Sequence, residues 1–216
     1  MDQFSQVAKK YLDKGLIAGL EWEIRHLNKV LSKDVAGYSD IENGTILKPG
    51  QIYRIYSMTK PIVSVAAIRL IEACKLSLYS NIQDFIPSFK NLKVLRHNGE
   101  LERVKRPINL ADLLTHTAGL SYNFNMGCSV AQFYQQENIL NDPNISLEAL
   151  VEQIATLPLA FQPGESWRYS VATDVIGRLL EVVENKNLSE VLSEQIFTPL
   201  GMKDTDFSVS KSNATK

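Results

Sequence analysis

Residues 53–74 read YRIYSMTKPIVSVAAIRLIEAC and place a serine and a lysine three positions apart at the mouth of an apolar run. A helix starting near Ser57 sets its hydroxyl at the positive end of the helix dipole and projects Lys60 from the same face, so the two can touch. Pro61 then falls in the first turn, where its missing N–H removes no intrahelical bond. Ser64 is the only polar residue from Ile62 to Ile68, a pattern that predicts burial nearly all round. A free lysine, with a pKa of ~10.4, is a poor base at neutral pH, but desolvation disfavours its charged form. The expectation is a depressed Lys60 whose neutral amine takes the proton of a nucleophilic Ser57.

Ser-x-x-Lys by itself is a weak pattern, and Ser208 with Lys211 repeats it in a polar tail. A third group strengthens the first match. In PGESWRYSVATDVIGRLLE, Pro163 and Gly164 make a turn and Tyr169 precedes a helix whose cap is expected at Thr173, so the phenol belongs to a loop and can relay a proton beside an amine. Ser170 next to it, with Tyr122 and Phe124 from the aromatic and polar segment SYNFNMGCSVAQFYQQ, are candidate substrate contacts and pocket walls.

These residues need elements to hold them. The amino-terminal stretch is an amphipathic helix with Phe4, Val7, Ala8, Tyr11 and Leu12 at helical spacing. LIAGLEWEIRHL and KVLSKDVAGYSD read as a hairpin turning near Asn28, and QIYRIYS as a short extended piece delivering the chain to Ser57. NLADLLTHTAGL reads as one helix from an Asn109 cap to a Gly119 stop, and a further helix opens at Ser146. The charged group KVLRHNGELERVKRP reads as a solvated loop or hairpin. Two amphipathic helices follow Tyr169, before the polar tail. Three regions are expected: 1–80 as helix, hairpin and serine helix, 81–172 as mainly helical, and 173–216 as helices returning to the first region.

With 44% hydrophobic residues in 216, a sizeable core is available. The balance of 23 Lys and Arg against 24 Asp and Glu provides no basic field, so neither nucleic acid nor an acidic membrane is expected as partner. No run is long enough to span a bilayer. Cys74 and Cys128 lack metal or disulfide spacing, and a reducing, cytoplasmic setting is expected. His26 and His97 have no metal-ligand spacing between them. The Gly-x-Ser-x-Gly nucleophile elbow, the phosphate-binding loop and the zinc-protease helix motif are all missing.

Taken together and in order, YRIYSMTKPI, LADLLTHTAGL, PGESWRYSVATDVIGRLLE and IFTPLGMKDTDF resemble the serine beta-lactamase-related hydrolases, most of all esterases similar to class C beta-lactamases. The resemblance covers nearly the whole chain, and it marks His116, in the helix-end motif LLTHTAGL, as structural rather than a catalytic base. It implies an α+β fold of the beta-lactamase and transpeptidase type, an antiparallel sheet flanked by helices. It also implies acyl transfer without metal or cofactor, in which Ser57 attacks the carbonyl of a small ester or amide while Lys60 and Tyr169 move protons.

Two departures qualify it. Where the beta-lactamases and penicillin-binding proteins carry Tyr-x-Asn, this chain has Tyr169, Ser170 and Val171, which favours esters, with short acyl chains, over beta-lactams or D-alanyl peptides. The third family element, a Lys-Ser/Thr-Gly or His-x-Gly strand that lines the pocket and supplies an oxyanion donor, is not found after the tyrosine. The expectation is therefore the amino-terminal half or so of a hydrolase, with an incomplete sheet whose edge invites self-association. A non-catalytic fragment acting by association is the alternative from another class.

Overall fold

The structure, a computed structural model, describes residues 3–209 except Met126. Lys211, and with it the second serine–lysine match, lies outside the described residues. The chain folds as two compact units, one built mainly from residues up to Arg54 and the other from Ile55–Phe207. The class is α+β, with a small antiparallel sheet accompanied by helices, as expected.

The first unit holds helix α1, Gln3–Asp13, and a sheet in the order β1, Gly19–His26; β2, Lys29–Asp40; and β3, Thr45–Ile46. β1 and β2 form the expected hairpin, turning at Leu27 and Asn28, with Gly19 opposite Gly37 and Glu23 opposite Lys33. The register slips between Ile24 and Arg25, which bulges the hairpin near its tip. Gly37, at φ +89°, sits where a Cβ would lie 2.4 Å from the Ala18 carbonyl oxygen, so only glycine lets these backbones approach. Trp22 donates to the Ser32 hydroxyl at 2.9 Å, which lets its indole nitrogen leave water. The segment QIYRIYS is not a strand. Instead the Glu21 carboxylate accepts from the Gly50 N–H at 3.2 Å and the Tyr53 hydroxyl at 3.3 Å, so side chains rather than a ladder hold it. On α1, Ala8 is buried, while Phe4, Val7 and Tyr11 stay exposed.

The second unit carries the main core. Helix α2, Thr59–Glu72, contributes Val63, Ala66, Ala67 and Leu70 and packs against α6, Ala172–Glu184, which contributes Val175, Ile176, Leu179 and Leu180. Val65 and Ile68 on the other side of α2 are 50% and 42% exposed. The helix is therefore buried along one stripe rather than all round, because α6 and its neighbours meet it from one side only.

Hairpin β4, Lys93–Leu95, with β5, Leu101–Arg103, occupies the charged group that reads as loop or hairpin. Helix α3, Leu110–Leu114, opens at Asn109 through a capping box with Asp112 but stops five residues short of Gly119. Thr115 caps it, and the chain enters the left-handed region at His116, φ +58°. Helix α4 is Ser129–Gln136 and α5 is Leu147–Thr156, whose Ser146 hydroxyl accepts from the Ala149 N–H as expected. α6 starts at Ala172 with Val171 in the cap position and no side-chain cap, so Thr173 is inside the helix rather than capping it. Helix α7, Leu188–Leu192, continues into a turn of π-helix at Ser193–Phe197. Cys74 and Cys128 are free thiols. No helix among the described residues is long and apolar enough to cross a membrane.

Candidate active site

Ser57 lies in a 3-10 turn, Tyr56–Met58, that runs directly into α2. Tyr56 before it has φ +44°, a left-handed conformation that costs a non-glycine residue on the order of 1 kcal/mol or more and swings the chain into the helix. Lys60 and Pro61 occupy the first turn of α2, and the lysine reaches back to the serine with Nζ 3.4 Å from Oγ. Tyr169 arrives from the far end of the chain, and its hydroxyl lies 2.6 Å from Ser57 Oγ. Tyr122 completes the cluster by accepting from Lys60 Nζ at 3.1 Å. Lys60 Nζ also stands over the faces of both phenols, 4.7 Å from the Tyr169 ring centre and 5.5 Å from that of Tyr122.

The electrostatics correct the expectation for Lys60. Burial pushes its pKa down, but polar contact with the Tyr169 and Tyr122 hydroxyls prevails, and the ammonium is held above its ordinary value. Tyr169 moves the other way. Burial would raise it, yet the hydrogen bonds from Lys60 and Ser57, together with the charge on Lys60, bring it below the ordinary phenol value. Tyr122 is more deeply buried, and burial keeps it raised despite its bond to the same lysine. The lysine is thus the charged partner, and Tyr169 is the phenol closest to losing its proton. Asp174, in the first turn of α6, adds a carboxyl that burial pushes up and the Lys60 charge pulls down.

Tyr169 belongs to no helix or strand, so its position is set by bonds between two irregular segments. The Arg168 N–H donates to the His116 carbonyl at 2.9 Å, the Gly164 N–H to the Thr117 carbonyl at 2.9 Å, and the Ala160 N–H to the Gly119 carbonyl at 2.7 Å. The Asn125 amide donates to the Tyr169 carbonyl at 3.0 Å and to the Ser121 hydroxyl at 3.0 Å. Asp112 ties the base of this zipper by accepting both guanidinium N–H groups of Arg106, at 2.6 and 2.8 Å, and the Asn109 N–H at 3.0 Å. Gly119, at φ +84°, has no room for a side chain, since a Cβ there would lie 2.4 Å from the Phe161 carbonyl oxygen.

Of the residues singled out in the sequence, Ser57, Lys60, Tyr169 and Tyr122 come together, and Phe124 stacks on Tyr122 with ring centres 4.7 Å apart. Ser170 is enclosed, 1% exposed, and its hydroxyl is taken by His116 Nδ1 at 3.2 Å. His116 proves closer to the chemistry than its helix-end position indicates, with its ring centre 5.0 Å from that of Tyr169. Burial and then the Lys60 charge push its pKa down, which keeps the imidazole neutral. Asn125 and Asp174 escape a sequence reading, because Asn125 stands in no recognisable spacing to Ser57 or Tyr169 and Asp174 reads as an ordinary first-turn acid. Among the described residues, no group of three His, Cys, Asp or Glu could hold a metal ion.

Comparison with known proteins places the chain in a family. Protein Rv1367c of Mycobacterium tuberculosis is 36% identical over 206 residues, which are 94% of this chain and 50% of that protein. Esterase EstB of Burkholderia gladioli is 29% identical over 197 residues, 90% of this chain and 48% of the esterase. The solved structure of EstCE1, a hydrolase with promiscuous acyltransferase activity, superposes with a TM-score of 0.83 at 30% identity, covering 97% of this chain and 53% of that one. The chain therefore spans about half the length of the curated relatives it matches. The model of the family described as Beta-lactamase matches residues 4–216, and the chain belongs to that family.

Proposed function

We propose that this chain carries the nucleophile and proton-transfer groups of a serine hydrolase acting on carboxylic esters with short acyl chains. The 2.6 Å contact between Ser57 Oγ and the Tyr169 hydroxyl, with Lys60 held as an ammonium between two phenols, is the observation that carries the reading. Tyr169 in its phenolate form accepts the serine proton as Oγ bonds to the ester carbonyl carbon, and the carbonyl π pair moves onto oxygen. The Lys60 charge holds the phenolate. As the tetrahedral intermediate collapses, the carbon–oxygen bond to the alcohol breaks and the leaving alkoxide takes the proton from Tyr169. Water then enters by the same route in reverse, releasing the acid and restoring Ser57. Val171, fully buried, provides no amide at the position where beta-lactam-processing relatives of this motif carry asparagine, which favours esters over beta-lactams.

The test is intact mass after treatment with an ethyl fluorophosphonate. Oγ displaces fluoride from phosphorus, the proton leaves through Tyr169, and an adduct that maps to Ser57 and vanishes in Ser57→Ala is expected. A folded protein that takes up no phosphonate would sink the reading. The free thiols Cys74 and Cys128 favour a reducing, cytoplasmic setting. Along β1, the side opposite β2 has no partner strand among the described residues, which supports self-association through that edge; sedimentation at increasing concentration checks it.

A further inference from the structure

Five rings follow one another through the site. Phe124 stacks on Tyr122, with centres 4.7 Å apart and planes 17° from parallel. Tyr122 meets Tyr169 at 5.3 Å and a 45° tilt, Tyr169 meets His116 at 5.0 Å and 46°, and His116 meets Trp167 edge-on at 6.4 Å and 72°. Every separation lies in the range where aromatic pairs attract. The middle ring, Tyr169, carries the hydroxyl that touches Ser57, and the two ends are open, with Phe124 58% and Trp167 65% exposed. Large aromatic surfaces left in water beside a reactive group are a recognisable sign of a binding face.

The position of the reactive hydroxyl selects what that face receives. In the reaction proposed above, Tyr169 returns its proton to the leaving alkoxide, so the alkoxide oxygen must come within hydrogen-bond reach of the middle ring. Whatever that oxygen bears then lies along the ladder, towards Tyr122 and Phe124 or towards His116 and Trp167. The rings match a flat apolar group, the burial of His116 keeps an imidazolium out of the row, and Lys60, whose Nζ lies over the Tyr169 ring, is already engaged by the phenols.

We propose that the ladder from Phe124 to Trp167 is a subsite for a flat aromatic ring on the alcohol side of the ester, so that the preferred substrates are esters of aryl or arylmethyl alcohols. The proposal rests on the serine-hydrolase reading for its chemistry, but the subsite can be measured without turnover. The probe is 2-naphthylmethanol, a product-like alcohol, added while ethyl fluorophosphonate labels Ser57, with cyclohexylmethanol as the non-flat control.

Saturable protection of Ser57 by 2-naphthylmethanol is expected at a concentration roughly tenfold below that needed for cyclohexylmethanol, and one of Phe124→Ala and Trp167→Ala, according to the end of the ladder the ring occupies, should weaken it by roughly 3- to 10-fold. Equal protection by the two alcohols, or protection unchanged in both variants while labelling proceeds, overturns the subsite and leaves the hydrolase reading standing. If the protein is folded but Ser57 does not label, Trp167 fluorescence in a Trp22→Phe background is titrated with 2-naphthylmethanol. Saturable quenching would then uphold the subsite while the serine chemistry fails, and its absence would remove both.

Discussion

The two sides of the proposed reactive pair are held by different means. Ser57 and Lys60 lie three residues apart, in a 3-10 turn and the first turn of α2, so the helix start alone brings them within reach. Tyr169 lies 112 residues from Ser57 and has no regular element of its own; it is fixed by the zipper to residues 116–125. Chemistry at the first side should therefore be sensitive mainly to side-chain identity. The second should also be sensitive to backbone changes far from any reacting atom.

The largest effect is expected from Tyr169→Phe, which keeps the ring and the ladder but removes the hydroxyl. The rate of Ser57 phosphonylation should fall by about 100-fold or more, measured as the appearance of the mass adduct, with little change in unfolding midpoint. Gly119→Ala should be of comparable size but in stability. Its Cβ would strike the Phe161 carbonyl at a left-handed φ, so urea unfolding should reveal a loss of about 2–4 kcal/mol. A loss below about 0.5 kcal/mol would mean that the zipper yields easily and that the contrast between the two sides is wrong.

The pH profile sharpens the same contrast. Because Tyr169 is held below its ordinary value, labelling should rise with pH to a midpoint under 10.0 and level off once the phenolate is formed. Lys60→Met removes the charge that favours the phenolate, so its midpoint should move up and its rate near neutrality should fall. Loss of the titration altogether would indicate that Lys60 itself is the base, and an unchanged midpoint would mean that its charge does not hold the phenolate. The smallest effect is expected from Tyr122→Phe, which removes one acceptor of Lys60 but preserves the ring; a loss of roughly 3- to 10-fold in labelling rate is expected, with the aromatic-alcohol protection retained.

The first side was legible in the sequence because its information is local. A serine, a lysine at helical spacing, a tolerated Pro61 and an apolar run are enough to infer a helix start with two side chains on one face. The β1–β2 hairpin and the caps at Asn109 and Ser146 were legible for the same reason. Tyr169 could be singled out by type and loop position, but its distance from Ser57 could not be derived from spacing. Where the reading from spacing failed, neighbours distant in sequence had decided the outcome. α3 ends at Leu114 because the next residues bond to the 160–168 segment, and α2 leaves Val65 and Ile68 exposed because α6 approaches from one side.

Protonation divides in the same way. The sequence by itself determined which groups could act, since a lysine at the head of an apolar helix and a loop tyrosine are chemical types fixed by residue identity. Only the tertiary structure decided which of them holds the proton. Burial alone would have depressed Lys60, but two phenols brought from residues 122 and 169 supply hydrogen bonds that favour its charged form. The same contacts lower Tyr169, because a short-range electrostatic balance depends on distances that the linear order of residues does not contain.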